Sequence, residues 1–437
     1  MAGAADYNFA NKYFLVASYV YDISSKFGNN NPGGSFYQLG ASWILTNEQF
    51  LAGNSTISFL KLRLGHGTVG NPPSGDYQAL GLYSYDQTAS YAGLAGSYPS
   101  QKANPDLTWE KIRVNNMGLN VSFFDDRIGL IADVYDKHAK SLLMTKNLPY
   151  TSGYSSILEN IGSVNNRGFE ITLNTQNLTG AFKWETSFNI AHNRNKVTKL
   201  NGSDRFASPG AMQPVGLNED MDKWYMRIWA GVDPANGDPL WQKVETDQNG
   251  KQTITLTNSY NQATLQYTGT SAAPKFTGGI LNTFSYRGFS LSAFFNFVSG
   301  NQVYNNSRQF FDSDGLYDSY NQMVLADGWS RWQQPGDNAT HPKPLLGGNK
   351  SSNQPSSRYL EDGSYIRLRN VRLAYDLPAD LIGRIHISTA RIFISGDNLW
   401  TATHFSGMDP EVDLSSGESG TKYPISRKIL FGVNVEF

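Results

Sequence analysis

An all-β fold, an antiparallel transmembrane β-barrel, is what the sequence predicts, and three observations predict it. First, segments all along the chain alternate apolar and polar residues with the period of two that separates the faces of a strand. Tyr423–Phe437 reads YPISRKILFGVNVEF. It puts Ile429, Phe431, Val433, Val435 and Phe437 on one face and Gly432, Asn434 and Glu436 on the other. Such faces want different solvents, and a barrel supplies both, with lipid outside and a wet lumen inside. Second, only 39% of the 437 residues are hydrophobic while aromatics reach 13%, as many short strands joined by polar turns require. No run approaches the roughly 18 to 20 apolar residues of a spanning helix. Third, links between strands alternate short and long, as in bacterial outer-membrane barrels.

In chain order, Tyr7–Asp22 reads as an aromatic and β-branched strand, closed by Asn, Gly and Pro from Phe27 to Gly34. Phe36–Thr46 and Ile57–Gly67 follow; in the latter Leu60, Leu62 and Leu64 oppose Lys61 and Arg63. A Tyr/Gly/Pro-rich link runs from Gly70 to Trp109. Lys111–Phe124 and Arg127–Leu143 then flank the tight Asp125-Asp126 turn, with Ile128, Leu130, Ala132 and Val134 on one face. After a connector at Met144–Gly162, Asn165–Gln176 pairs with Ala181–Val197 across Asn177–Gly180. Asp222–Val232 and Pro239–Thr246 flank Asp233-Pro-Ala-Asn-Gly-Asp238, a sequence built to turn. Phe276–Tyr286 returns through Arg287-Gly288 into Phe289–Ser299, and the longest link, Gly300–Asp362, follows. In Ser364–Asp376 the alternation slips from Ile366 and Leu368 to Val371, Leu373 and Tyr375, which predicts a β-bulge near Asn370. Thr389–Trp400 and the closing strand complete about fourteen strands. With Phe437 in the periplasm, counting back puts every long link outside the cell.

The net charge of −1 gives no basic footprint for nucleic acid. With no cysteine, thiol catalysis and thiolate metal sites are excluded, and the six scattered histidines form no metal-ligand pair. No cofactor is expected. Gly65-His66-Gly67-Thr68-Val69-Gly70 spells a dinucleotide fingerprint, but Asn71-Pro72-Pro73 forbids the helix such a motif needs, so the glycines read as a strand-to-loop transition. The pairs Asp125/Asp126 and Asp133/Asp136 lie on a turn and along a strand, not converging as glycoside hydrolysis demands. Asp312-Ser-Asp314 in the longest link offers two carboxylates to a cation such as Ca²⁺, against a plain solvated turn.

Aromatic residues of the long links, Tyr83, Tyr85 and Tyr91 before Trp109 and Phe310, Phe311, Trp329 and Trp332 later, suit stacking on a sugar ring or an interface, or packing of the links themselves. Arg367 and Arg369 point toward the lumen, free to attract anions or paired with acids on neighbouring strands. Met1-Ala-Gly-Ala-Ala lacks the basic start and apolar core of an export signal, so the natural beginning is expected upstream.

Several blocks resemble the SusC/RagA-like TonB-dependent outer-membrane transporters: NPDLTWEK (Asn104–Lys111), ENIGSVNNRGFEITLN (Glu159–Asn174), AGVDPANGDPLW (Ala230–Trp241), PKFTGGILNTFSYRGFSLSAFFNF (Pro274–Phe297), DGSYIRLRNVRLAYDLP (Asp362–Pro378), SGDNLWTATHFSGMDPEV (Ser395–Val412), and the terminal strand. The resemblance implies that residues 1–437 are the carboxy-terminal portion of a barrel of about 22 strands, with the plug domain and first strands absent. It implies a SusD-like lid lipoprotein, a TonB complex acting through the missing amino-terminal part, and import of glycan oligomers or peptides across the outer membrane. Outer-membrane barrels as a class imply that Val433, Val435 and Phe437 carry the signal read by the barrel-assembly machinery. The alternatives are a self-contained porin-like channel and a secreted carbohydrate-binding or hydrolytic β-protein.

Overall fold

The computed structural model describes residues 1–200, 205–206, 212–320, 323–382, 387–413, 416–420 and 423–436, the side chains of 87–89, 91, 150 and 206 aside. They divide into two compact units, one built mainly on Met1–Phe206, the other mainly on Met221–Leu281 and Ser285–Phe437. In the first, β1 (Ala2–Phe9), β2 (Tyr13–Ile23), β3 (Gly33–Ile44), β4 (Ile57–Asn71), β5 (Glu110–Phe123), β6 (Ile128–Asn147), β7 (Ser156–Thr179) and β8 (Phe182–Lys199) lie side by side in chain order. In the second, β9 (Phe276–Tyr286), β10 (Phe289–Ser299), β11 (Tyr365–Asp376), β12 (Thr389–Thr403) and β13 (Lys428–Glu436) do the same. Every neighbouring pair with a defined register is antiparallel.

The apolar rows are uncovered. Phe431 is 74% exposed and Val433 64%, and Phe289 and Leu291 are exposed along β10. No helix among the described residues is long and apolar enough to cross a membrane. A row of large apolar side chains left bare on a continuous sheet is what a lipid-facing surface looks like. On the opposite face of β4–β8, polar pairs hold each other instead: Arg63 bridges Asp133 at 2.8 Å and bonds Asn120, and the Tyr135 hydroxyl donates to Asn193.

Three sequence expectations are corrected. The stretch Tyr7–Asp22 belongs to a hairpin, not to one strand, because Ala10 and Asn11 both take left-handed backbone (φ 53° and 54°) and the Asn8 side chain accepts from the Asn11 amide. The loop is three residues, Ala10–Lys12, and its left-handed positions are written without the glycine that usually announces such a turn. β6 and β7 run far beyond their expected ends, since a bulge around Ser141 (φ 56°) lets pairing continue from Leu142 opposite Gly162 to Asn147 opposite Ser156. The glycines from Gly65 to Gly70 remain inside β4; a Cβ on Gly70 would meet the Phe36 ring, which packs with Phe27 and Trp109. The bulge near Asn370 is present: opposite β10 the register passes from Phe294–Asn370 directly to Phe295–Leu368, leaving Arg369 as the extra residue.

The turn at Asp233–Asp238 forms as its sequence requires, with the Gly237 amide donating to the Asp233 carbonyl. Gly237 has φ +74°, and a Cβ there would meet the Trp332 ring at 2.5 Å. Gly237→Ala is therefore expected to cost about 1–2 kcal/mol for the left-handed backbone alone, and to expel the indole. Trp332 fluorescence in the variant checks this, a shift to longer wavelength being the expected result.

Candidate functional site

The long links of the second unit are folded rather than loose, and they carry most of the residues singled out from sequence. Gln302–Tyr304 pairs with Leu360–Asp362, and the short helix Asn306–Phe311 starts where the Asn305 side chain accepts from the Arg308 amide. Trp224, Met226, Ala272, Tyr304 and Tyr359 form a buried apolar cluster beside it. Burying the Tyr359 hydroxyl calls for partners, and it donates toward the Asp312 and Ser352 carbonyls.

Asp312 and Asp314 are fully buried rather than on a solvated turn, and guanidinium groups meet both carboxylates. Arg358 spans both: its Nη1 and Nη2 reach the two oxygens of Asp314, and Nη2 lies 3.1 Å from Asp312. Arg331 contacts Asp314 at 3.0 Å, and His341 Nε2 lies 2.9 Å from Asp312. The Ser352 hydroxyl donates to Asp314, and Arg308 approaches both Asp312 and Glu361. Two carboxylates already met by three arginines and a histidine leave no charge for a divalent ion. Among the described residues no group of three or more His, Asp or Glu is placed to hold a metal. Burial pushes the Asp312 carboxyl up, but the His341 hydrogen bond and the charges of Arg358 and Arg308 outweigh it and hold its pKa below the ordinary value.

Arg367 and Arg369 are corrected in the same sense. Neither stands free in the lumen, and their acidic partners are not on neighbouring strands. Arg367 is buried and bridges Asp409 and Glu411 (3.0 Å) on the link after β12, while Arg369, the bulged residue, reaches Glu411 at 2.7 Å and Asn398. At alternate positions the two arginines share one face of the strand, and both reach one loop, clamping residues 409–411 against the sheet.

The aromatic candidates separate. Trp329 lies between the Arg308 guanidinium, 4.4 Å from its ring, and the His341 ring at 4.9 Å. Trp332 donates from Nε1 to the Pro234 carbonyl at 3.0 Å. Both hold links together. Phe310 and Phe311 instead join Tyr317 and Tyr320 in a four-ring group: Phe310 stacks on Tyr317 at 4.7 Å and meets Phe311 and Tyr320 at 5.3 Å each. Phe310, Phe311 and Tyr320 stay 40–55% exposed. In the first unit, Tyr83 and Tyr85 share one face of a hairpin, Leu82–Tyr91 with Leu94–Gln101, and are 69% and 85% exposed. The Tyr91 side chain lies outside the described residues, as does Phe437; Val433 and Val435 are exposed on β13. Of the acid pairs weighed for hydrolysis, Asp133 bridges Arg63 and Asp136 bridges Arg167, so they do not converge on a common point.

A family model described as TonB-dependent receptor-like, β-barrel, matches residues 2–399. The chain belongs to the TonB-dependent receptor β-barrel family. Among curated relatives of this TonB-dependent receptor barrel, TonB-dependent receptor P3 of Formosa agariphila is 31% identical over 464 aligned residues, covering 100% of the chain and 45% of that protein. TonB-dependent receptor SusC of Bacteroides thetaiotaomicron is 26% identical over 100% of the chain and 43% of its own length. The solved structure of the RagAB peptide transporter superposes with a TM-score of 0.85 at 28% identity, covering 100% of the chain and 47% of that one. The chain thus spans about half the length of the curated relatives it matches. It is an integral outer-membrane β-barrel protein of the SusC/RagA-like kind.

Proposed function

We propose that the chain is the carboxy-terminal barrel portion, without a plug domain, of a TonB-dependent importer that takes up oligomers of glycan or peptide beneath a SusD-like lid lipoprotein. The observation that carries this is the match over the full chain to the RagAB peptide transporter, in both sequence and backbone. In this reading the work is not covalent chemistry. A lipid-facing row outside and a polar row inside enclose a passage, and rigid outer links present aromatic rings to a polymer before it is admitted. The TonB complex would act through the part of the protein that precedes the barrel. Val433, Val435 and Phe437 would be the strand end read by the assembly machinery.

The rings best suited to hold substrate are Phe310, Phe311, Tyr317 and Tyr320, because they are stacked into one surface on which Phe310, Phe311 and Tyr320 remain exposed and Tyr317 half-buried. Replacing Phe310 and Tyr317 by Ala is expected to raise the half-saturating substrate concentration about two- to tenfold, the scale of one aromatic stacking contact. The test is uptake by cells carrying the full-length gene together with its lid gene, offered fluorescent oligopeptides and oligosaccharides separately. Import of one class, abolished by a protonophore and by deletion of the gene, supports the proposal. Uptake of both classes unchanged by the deletion would refute it.

A further inference from the structure

On the lipid-facing side of β4–β8 the apolar surface stops at a line. Leu64, Met117, Val134 and Phe169 are cross-strand neighbours and form its last row on β4–β7, with His192 in that row on β8. One step outward the same face holds Asn115, Asp136, Arg167 and Arg194 in register. The next step holds Arg113, His138, Asn165 and Lys196, and the next Lys111, Lys140, Ser163 and Lys199. All seven lysines and arginines of these rows are exposed, and Asp136 is their single carboxylate, taken by Arg167 at 3.0 Å. Among the described residues no carboxylate lies within ion-pairing distance of the other six. In a chain whose net charge is −1, this is segregation, not a general basic excess.

Two features point to an anion. Lys111 stands directly opposite Lys140, and Arg194 directly opposite Arg167, whose carboxylate partner Asp136 is the one negative group among these rows. Like charges in that position destabilise a sheet unless something negative lies between them. A polar cavity of about 440 Å³ opens in the same place, lined by His138, Lys140, Ser163 and Lys199. Its depth in the membrane identifies the source of the anion. From Phe182 to Arg194 β8 rises twelve residues, about 30 Å along the barrel axis at ~3.3 Å each and a ~40° tilt, while the apolar belt of such barrels is about 25 Å tall. The cations therefore begin where acyl chains end and headgroups start, on the outer side. At the inner rim the same face ends in Phe123, Phe182 and Trp184 instead.

We propose that this band binds the phosphorylated headgroups of the glycolipid that forms the outer leaflet of the outer membrane. The opposed cation pairs share phosphate oxygens, and the cavity at Lys140 and Lys199 receives one headgroup. The assignment rests on the outer-membrane location of the barrel and on its lipid-facing side, not on what is imported.

The experiment uses the purified full-length transporter in phosphatidylcholine nanodiscs, with phosphorylated lipid A, with enzymatically dephosphorylated lipid A, or with inorganic phosphate in the buffer. Lipid bound per protein is read by native mass spectrometry. The wild-type protein is expected to retain phosphorylated lipid A at least about tenfold over the dephosphorylated form, and inorganic phosphate alone to give no adduct. The variant R113Q/K140Q/K196Q/K199Q should lose that preference, while K61Q/K137Q, on the lumen face, should keep it. Folding of each variant is checked by heat-modifiable migration. Equal retention of the two lipids by the wild-type protein overturns the proposal without any variant, as does a preference that survives in a folded R113Q/K196Q protein. Uptake of substrate is a separate readout, so failure here leaves the import proposal standing.

Discussion

Arg358→Met is expected to cost about 3–5 kcal/mol in the outer link between β10 and β11, because it strands Asp312 and Asp314 as buried charges with fewer partners. Arg358 is nearly inaccessible, and its fork meets both oxygens of Asp314 and one of Asp312 while its plane lies over the Trp229 ring at 4.8 Å. Lysine has the charge without the fork, so Arg358→Lys should recover only a small part of the loss. Asp312→Asn and Asp314→Asn added to Arg358→Met should recover more, since the cost is chiefly the uncompensated charge. Limited proteolysis between residues 300 and 364 measures this: the variant link should be cut many times faster while the barrel keeps its heat-modifiable migration. Acid should reproduce the effect. Asp312 is held below its ordinary pKa in the folded link, so it contributes stability above the unfolded value near 3.8 that disappears as pH falls through the depressed folded value. Protease resistance should be flat between about pH 5 and 8 and fail only below about pH 4.

That network shows where sequence reasoning stops. Asp312 and Asp314 were legible as two carboxylates at a spacing suited to a cation, but the ligand that took the place is an arginine more than forty residues further on. Nothing local marks Arg358, which sits among serines in Gln354–Tyr359. Contacts that depend on how two long links fold over each other have no periodicity to read. Arg367 and Arg369 follow the same rule: the bulge at Arg369 was visible as a phase slip in the alternation, whereas Asp409 and Glu411 were not visible as the partners of the two arginines. By contrast, the strands themselves were legible wherever both faces differ in solvent, as in Phe289–Ser299 and Tyr423–Phe437. They were misjudged where a turn lacked glycine, at Ala10-Asn11, and where a bulge carried pairing past the apolar belt, at Ser141. The basic band was present in the sequence as Lys111, Arg113, Lys140, Arg167, Arg194, Lys196 and Lys199, spread over four strands. Only the register, which sets Lys111 against Lys140 and Arg167 against Arg194, turns those scattered charges into one surface.

Phe188→Arg should destabilise the barrel by about 2–4 kcal/mol, and its neighbour Ser187→Arg by no more than about 0.5 kcal/mol. The two residues adjoin on β8 and differ only in the face they occupy. Phe188 stands opposite Leu173, which stands opposite Leu130, a row of apolar side chains halfway between the aromatic inner rim at Phe182 and the cations at Arg194. An arginine there lies at the depth where the bilayer offers neither water nor counter-charge, and six residues are too far for its stem to reach a headgroup. Ser187 stands opposite Asn174, which stands opposite Gly129, so an arginine on that side meets polar neighbours, open space and the wet lumen. Urea unfolding of the full-length protein in phospholipid vesicles compares the two directly. If the penalties were reversed, the apolar row would be the interior and the polar row the exterior. The outward cations of β5–β8 would then face the lumen instead of the glycolipid leaflet. Sequence alternation, exposure of Phe431 and Val433, and the position of Arg113 and Lys196 all depend on that one orientation, and a single pair of adjacent substitutions decides it.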